Sequence, residues 1–544
     1  MGKNRYTVLL LLLISDFIFA QANTGKYIVY FKDKPVDKNV ERLFSKEAID
    51  YRRKFNIHFD ERDFPVDIDY IEKLKNERAI IVNSSNWLNA SLISIDENKI
   101  TKIQQLPFIS SVIKIERTNV AGIASIENTN ECEEINDLQD FEDNYGSSFP
   151  QAKLLNGQYL HEQGYNGENM TIAVCDNGFY QANINSAFSH IFSQNRLLGT
   201  YSYVHGDSSV YNLVDGKHGS DCFSFIGGLK DNQYIGAAIK SNFYLFQTEN
   251  DNNGIERLQE ELNLAIALER CSQLGVKVVS ISLGYNTFDV ASENHDTSDM
   301  RKNNTPGAKA ANIASSKGIL VCVAAGNTGS SPWKYITTPS DADSAFCIAS
   351  VNSNGVVAAS SGYGLPNDAR IKPNVAAVGV SPYLINTSGQ VGQFGSGTSY
   401  ATPQIAGFAT CLWQAFPSKT NWEIKTAIEQ SSSQYLTPDK RIGYGIPDFQ
   451  KAFQILSDAT FVSDKKLENE LLIFPNPFQN TITFSTKTNL HIESINMLNS
   501  VGQLIFAVNA PTENTITFND LPKGMYLLQV ATNRGILIKK LIKE

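Results

Sequence analysis

The sequence is poor in the features that mark disulfide scaffolds, zinc-bound domains and membrane-spanning proteins. Its 544 residues contain only seven cysteines, too few for a disulfide-dense fold, and they form no C-x-x-C pair that would predict structural zinc. Beyond the N-terminus, no apolar run reaches the ~20 residues that a membrane-spanning helix needs. We therefore expect buried free thiols, with a bridge or two left open, and neither a structural zinc site nor a membrane span.

Dense clusters of basic residues are also missing. The chain has 47 lysines and arginines against 56 aspartates and glutamates, which gives a formal net charge of −9 at pH 7. Nucleic acid is not an expected partner, because such binding needs a positively charged surface. No solenoid repeat is present, so the length predicts three or four separate domains. A monomer is expected.

A short apolar segment is present at the N-terminus. Lys3 and Arg5 precede the apolar residues 8–14, and residues 20–22 (AQA) offer a cleavage site between small side chains. This pattern predicts a secretory signal peptide over residues 1–22, because the apolar run is too short to cross a bilayer. The protein is therefore expected to be secreted or held at the cell surface.

The rest of the chain divides by composition. Residues 23–117 alternate strand-like runs with charged helical stretches and predict a small α+β domain, and residues 118–147 form an acid-rich linker. Residues 148–456 alternate apolar strands with helices, which is typical of a parallel sheet in a doubly wound α/β architecture. A linker over residues 457–470 leads to short alternating strands over residues 471–544, which predict a small antiparallel β-sandwich.

Four polar residues stand at strand ends or helix starts of the α/β region, where catalytic groups of such sheets collect. They are Asp176 closing MTIAVCD, His218 opening HGSDCFSFIGG, Asn327 after ILVCVAAG, and Ser399 within GSGTSYATPQIAG. Taken singly, each could be an ordinary turn, surface or capping residue. Their order in the chain decides against that interpretation, because Asp, His, Ser is one of the few orders in which the serine-protease triad occurs.

Residues 148–456 resemble the subtilisin-like serine proteases, the subtilases. IAVCDNGF resembles the aspartate motif of that family, KHGSDCFSFIGG its histidine motif, AAGNTG its oxyanion motif, and GTSYATPQIAG its serine motif. Asn177, in place of the usual small residue, and the loose helix sequence SDCFSFIGG depart from the family pattern. Neither departure touches the four reacting groups.

The resemblance extends to both flanks. Residues 25–117, with YIVYFKDK and SSNWLNASL, are similar to the inhibitory propeptide of exported Bacteroidetes subtilases. Residues 471–544, with IFPNPFQNTITF and LPKGMYLLQV, are similar to the C-terminal sorting domain of the type IX secretion system. The implied partners are therefore protein or peptide substrates, the protein's own propeptide as inhibitor, and the secretion machinery.

The resemblance implies a secreted serine endopeptidase made as a self-processed zymogen, with the propeptide cut away within residues 118–147. The implied catalytic residues are the nucleophile Ser399, the base His218, the orienting carboxylate Asp176 and the oxyanion donor Asn327. The implied substrate-binding residues are Ser282, Leu283 and Gly284 along the substrate backbone, and Ala324, Ala325 and Gly326 in the wall of the primary pocket. Such small walls predict a bulky apolar or aromatic residue before the scissile bond.

No cofactor is required by this interpretation. Calcium stabilises many subtilases, but no carboxylate-rich loop supports such a site here. Cys222 follows His218 by four residues, so we expect its thiol beneath the imidazole if that segment is helical; an inert packing cysteine is an equal alternative.

Two rival functions were open to this sequence. The first is a catalytically inactive subtilase-like binding module or adhesin, and the four intact reacting residues argue against it. The second, an α/β-hydrolase, needs the motif G-x-S-x-G and the order Ser, Asp, His. Residues 397–401 read GTSYA and the order differs, so this rival fails.

Overall fold

The computed structural model describes residues 24–115, 145–212, 216–250, 256–461, 470–486, 490–499, 504–509, 511, 513–533 and 535–544, with the side chains of 302, 458–461 and 534–536 excepted. The signal peptide predicted for residues 1–22 and the acid-rich linker through residue 144, Cys132 included, lie outside the described residues. The six cysteines within them are all free and buried. For these six, the expectation of free thiols is confirmed.

An N-terminal domain of four strands and three helices comes first. Its elements are β1 (Thr24–Phe31), α1 (Lys46–Lys54), α2 (Ile68–Asn76), β2 (Ile80–Ser85), β3 (Ala90–Asp96), α3 (Ile100–Gln104) and β4 (Ile109–Ile115). The strands pair antiparallel in the order β2-β3-β1-β4. Strand β1 is apolar at successive positions because both faces of this sheet are covered: Val29 packs with α2 and α3, while Ile28 packs against the next domain.

The second domain carries a parallel sheet between helices. Its elements are α4 (Phe149–Leu154), α5 (Gln158–Glu162), β5 (Thr171–Asp176), α6 (Ser189–Ser193), β6 (Leu197–Ser202), α7 (His218–Gly227), β7 (Leu229–Lys230), β8 (Tyr234–Ile235), β9 (Asn242–Gln247), α8 (Gln259–Leu274), β10 (Val278–Ile281), α9 (Thr297–Lys302), α10 (Pro306–Ser316), β11 (Leu320–Ala324), β12 (Phe346–Val351), β13 (Val375–Val378), β14 (Leu384–Ile385), β15 (Val391–Gly392), α11 (Thr398–Ala415), α12 (Asn421–Ser431) and α13 (Phe449–Phe461).

The central sheet has seven parallel strands in the order β13-β12-β11-β10-β5-β9-β6. The strands β10 to β13 are buried at every position, as their continuous apolar sequences predict. Strand β6, at one edge of the sheet, is only half covered. The doubly wound α/β architecture predicted from the sequence is confirmed.

Helix α11 lies across the sheet and packs on strands β10 to β13. Residues 398–413 of this helix are all buried, so the sequence is apolar or small around its whole circumference rather than along one stripe. Such burial fixes the start of the helix relative to the carboxyl ends of the strands. No helix in the described part of the chain is both long enough and apolar enough to cross a membrane.

The C-terminal strands form two antiparallel sheets. They are β16 (Leu471–Phe474), β17 (Thr481–Thr486), β18 (Ile492–Asn499), β19 (Leu504–Asn509), β20 (Thr515–Thr517), β21 (Gly524–Thr532) and β22 (Gly535–Lys543). Their orders are β16-β17-β20 and β19-β18-β21-β22. Alternate residues, such as Ile482 and Phe484 of β17 and Leu528 and Val530 of β21, share one apolar core between the sheets. The short antiparallel strands predicted for this region are confirmed.

Candidate active site

Asp176 and His218 meet at the carboxyl end of the central sheet. Asp176 is the last residue of β5 and is fully buried, and His218 is the first residue of α7. The His218 Nδ1 atom lies 2.7 Å from Asp176 Oδ1, which also accepts a hydrogen bond of 2.9 Å from the backbone N–H of Asn177. The carboxylate thus fixes the orientation of the imidazole and favours the tautomer in which Nδ1 carries the proton.

The close approach of β5 and α7 depends on Gly219. A Cβ atom at this position would overlap the carbonyl oxygen of Gly178 and lie 2.9 Å from Asp176 Cβ. The Gly219 N–H donates to the side-chain oxygen of Asn177 over 3.4 Å. Asn177, which departs from the family pattern, therefore joins the turn after the aspartate to the helix that begins with the histidine.

The electrostatics of this pair favour a charged imidazole. Burial works against a positive charge on His218, but the nearby Asp176 carboxylate outweighs it and raises the pKa of His218 well above its ordinary value. In proton transfer, the same carboxylate stabilises the positive charge that a neutral imidazole gains when it accepts a proton from a hydroxyl.

Ser399 lies in the first turn of α11, and Pro403 changes the hydrogen bonding of its carbonyl oxygen. A proline four residues later has no N–H to donate to the carbonyl oxygen of Ser399, so this oxygen is available to other donors. It accepts a hydrogen bond of 2.8 Å from Ser282 Oγ, and the Cys222 thiol lies 3.5 Å away. The backbone of Ser399 is therefore held by the end of β10 and by α7.

The side chain of Asn327 is oriented by the same helix start. Its Oδ1 atom accepts hydrogen bonds from Thr398, at 2.9 Å from the backbone N–H and 3.1 Å from the hydroxyl. This leaves the Nδ2 group as the donor end. A Cβ atom at Gly397 would lie 2.9 Å from Ser399 Oγ and 3.3 Å from Asn327 Nδ2. The hydroxyl and the amide therefore border one small space that a glycine keeps open.

The two halves of the site are joined through α7 and α11, which pack against each other. Cys222 Sγ lies 3.8 Å from each ring nitrogen of His218, and the Tyr400 ring stacks on the imidazole with centroids 5.8 Å apart. Burial raises the pKa of the Cys222 thiol to about 11. Within the described chain, no hydrogen bond links the imidazole to the Ser399 hydroxyl.

One group of ligand atoms in the described residues is compact enough to hold a metal ion. The donor atoms of Asp176, His218 and Cys222 lie within 4.8 Å of one another. The first two are already hydrogen-bonded together, and the raised pKa of the thiol disfavours the thiolate that a metal would need. The arrangement fits proton transfer better than metal ligation.

The residues expected to bind substrate lie at the carboxyl ends of two paired strands. Ser282, Leu283 and Gly284 follow β10, while Ala324 ends β11 and Ala325 and Gly326 follow it. Sequence reasoning missed three residues that shape this region: Gly397, Thr398 and Thr337. The first two lie beside Ser399 in GSGTSYATPQIAG and could have been found there, but nothing local marks Thr337.

Comparison with known proteins agrees with this architecture. A family model described as the Subtilase family matches residues 167–445, more than half of the chain. The chain is a member of the subtilase family. A model of the Bacteroidota peptidase S8 propeptide domain matches residues 26–133 of this subtilase, and a model of the secretion system C-terminal sorting domain matches residues 472–544.

Curated relatives give the same result. The subtilase is 26% identical to Subtilisin NAT of Bacillus subtilis subsp. natto over 372 residues, which cover 68% of this chain and 81% of the relative. It is 29% identical to Subtilisin of Bacillus pumilus over 298 residues, 54% of this chain and 94% of that protein. It is 28% identical to Serine protease AprX of Bacillus subtilis (strain 168) over 334 residues, 55% and 68% of the two chains.

These matches fix the general activity and destination of the protein. The subtilase is a serine-type endopeptidase that carries a propeptide. Its type IX sorting domain makes it a secreted or cell-surface protein.

Proposed function

We propose that this subtilase cleaves extended protein substrates with Ser399 as nucleophile, His218 as general acid and base, and Asp176 as the carboxylate that orients the imidazole. The observation that carries the proposal is the 2.7 Å hydrogen bond between His218 and Asp176, made beside the helix that begins with Thr398 and Ser399. The hydrogen bond from the Ser399 hydroxyl to His218 Nε2 would form on substrate binding, when catalytic hydrogen bonds commonly tighten.

The reaction begins when Ser399 Oγ attacks the carbonyl carbon of the scissile peptide and His218 Nε2 takes the hydroxyl proton. The negative oxygen of the tetrahedral intermediate faces Asn327 Nδ2 and the backbone N–H of Ser399, at the positive end of α11. His218 then returns the proton to the leaving amine as the C–N bond breaks. Water, deprotonated by the same imidazole, hydrolyses the acyl-enzyme and restores the serine.

We propose that substrate lies extended along Ser282, Leu283 and Gly284 and adds a strand to this edge, so that backbone hydrogen bonds supply much of the binding. Export would begin with removal of residues 1–22. The enzyme would then cut its own chain within residues 118–147, and the propeptide would stay bound as an inhibitor until it is degraded. An inactive binding module is not favoured, because it would need none of the four reacting groups.

Labelling with a fluorophosphonate tests the nucleophile directly. The mature enzyme should be modified at a single peptide that contains Ser399, because only a serine activated by an imidazole reacts rapidly with this reagent. Ser396→Ala is a matched control, since Ser396 is an exposed serine three residues earlier, and it should be labelled like the wild type. Equal labelling of Ser399→Ala and the wild type would remove the proposal.

Replacing Asn327 by alanine should lower kcat by about 10²–10³-fold with little change in KM, because the amide donates only to the charged intermediate. Asn327→Asp should be at least as damaging, since it keeps the acceptor for Thr398 but loses the donor. Steady-state kinetics on a chromogenic peptide measures both variants. A large rise in KM with a normal kcat would contradict the oxyanion role.

A further inference from the structure

Residues 337–338 lie between the two segments predicted to flank the substrate, residues 282–284 and 324–326. Thr338 pairs with Tyr285 through two backbone hydrogen bonds of 2.8 and 3.0 Å, directly after Gly284. On the other side, the N–H of Thr337 donates to the carbonyl oxygen of Ala325 over 3.3 Å. Residues 337–338 therefore close the bottom of the gap between the ends of β10 and β11.

The side chain of Thr337 fills this gap. A Cβ atom at Gly284 would overlap the Thr337 hydroxyl, and a Cβ atom at Gly326 would lie 2.7 Å from the same oxygen and 3.0 Å from the Thr337 methyl carbon. Thr337 is only 1% exposed. The alanine and glycine wall alone would leave the space between the two glycines open to a substrate side chain. The side chain of Thr337 already occupies this space.

The hydroxyl of Thr337 also has no hydrogen-bond partner among the described residues, although it is buried. Leaving a buried hydroxyl unpaired costs free energy, and a valine of the same shape would avoid that cost. The hydroxyl lies between Gly284 and Gly326, where a substrate side chain would enter.

We propose that Thr337 forms the floor of the primary specificity pocket and restricts cleavage to peptides with a small residue, such as alanine or serine, before the scissile bond. This inference rests on the proposed function, because the two segments flank substrate only if Ser399 is the nucleophile. It replaces the bulky apolar or aromatic residue that the small wall residues by themselves predict. A phenylalanine ring could enter only by displacing Thr337.

The rates at which four peptides are cleaved test whether Thr337 forms the floor of the pocket. The mature wild type should cleave a tetrapeptide nitroanilide after alanine or serine with a kcat/KM about tenfold or more above that after leucine or phenylalanine. Thr337→Gly should shift the alanine-to-phenylalanine ratio towards phenylalanine by about 10–10²-fold, because it opens the gap. Thr337→Val keeps the volume of the side chain, so its ratio should stay within about threefold of the wild type.

The wild type and the variants test the proposal independently. Faster wild-type cleavage after phenylalanine than after alanine would overturn the proposal without any variant, and so would an unchanged ratio in a folded Thr337→Gly enzyme. Should that variant fail to mature, Thr337→Ser removes only the methyl group and should give a smaller shift of the same sign. Active sites are titrated with a fluorophosphonate in the same experiment. If the wild type is labelled at Ser399 but cleaves all four peptides equally well, the role of Thr337 as the pocket floor is refuted and the proposed function stands. If the wild type is not labelled, the proposed function itself is refuted.

Discussion

Replacing Ser399 by alanine should abolish proteolysis, with a loss of about 10⁶-fold in kcat, while the fold stays intact. The loss is large because no other group can form the acyl-enzyme once Oγ is absent. The fold should persist because Ser399 is held through its carbonyl oxygen, which accepts from Ser282 Oγ, and alanine keeps that oxygen. Alanine is also the best helix former, which suits the first turn of α11.

The same variant should accumulate as an unprocessed precursor, since self-cleavage would need the missing hydroxyl. Casein digestion and the size of the purified chain measure the two effects, and circular dichroism checks the fold. Ser396→Ala should digest casein and mature like the wild type, because that side chain is exposed. Undiminished casein digestion by freshly purified Ser399→Ala, or its normal maturation, would contradict the assignment.

The strands and the reacting residues could be predicted because their signals are local. Uniformly apolar runs such as the one in β11 identify strands buried on both faces, and a polar residue after such a run marks the edge where catalytic groups collect. The small residues around Ser399 are likewise contiguous, so the sequence predicts a cramped helix start. Asp176 and His218 then meet because β5 and α7 end and begin at the same edge.

Thr337 could not be found in this way, because its role depends on distant partners. It lies in a loop between β11 and β12, and nothing in its neighbours indicates that it contacts Gly284 and Gly326. The half-exposed strand β6 also lacks such a local signal, because its sequence LLGTYS is not continuously apolar. Contacts between residues that are far apart in the sequence can be identified only from the folded structure.

The interface between the propeptide and the catalytic domain is a further example. Glu269 of α8 is buried and accepts hydrogen bonds from the backbone N–H groups of Asn86 and Trp87, at 2.8 and 3.1 Å. Burial raises the pKa of Glu269 to about 7. The carboxyl group thus binds a propeptide turn that precedes it in the chain by more than a hundred and eighty residues.

Asp63 of the propeptide is the centre of a second contact with the catalytic domain. It binds Arg52 through two hydrogen bonds of 3.0 and 2.9 Å, and Lys317, after α10, donates to it over 2.6 Å. The three side chains are at most 3% exposed. Burial opposes ionisation of Asp63, but the two cations outweigh it, so the pKa of Asp63 is lowered. Its stabilising effect is therefore present above about pH 4 and is lost as the pH falls through the lowered pKa.

Asp63→Asn should weaken docking of the propeptide by about 3–5 kcal/mol, because it leaves the buried Arg52 without a counter-charge and Lys317 with Asp60 as its remaining partner. In the Ser399→Ala precursor this corresponds to amide hydrogen exchange about 10²–10⁴-fold faster in β1 and β3, measured at pH 7 with β17 of the sorting domain as internal reference. Asp37→Asn is the matched control, since the Asp37–Arg42 pair is partly exposed and screened by solvent, so its loss should leave the exchange of β1 and β3 nearly unchanged.

A double variant that also lacks Lys317, the cation of the catalytic domain, distinguishes an effect of charge from a general disruption of the structure. If excess positive charge is what opens the interface, Asp63→Asn combined with Lys317→Met should exchange more slowly in β1 than Asp63→Asn alone, because the cation that keeps Asp60 as its remaining partner is then absent. If instead the asparagine simply disrupts the turn around Asp60, the second substitution should add to the loss. Unchanged protection in Asp63→Asn itself would show that the buried ion pair does not hold the propeptide on the enzyme.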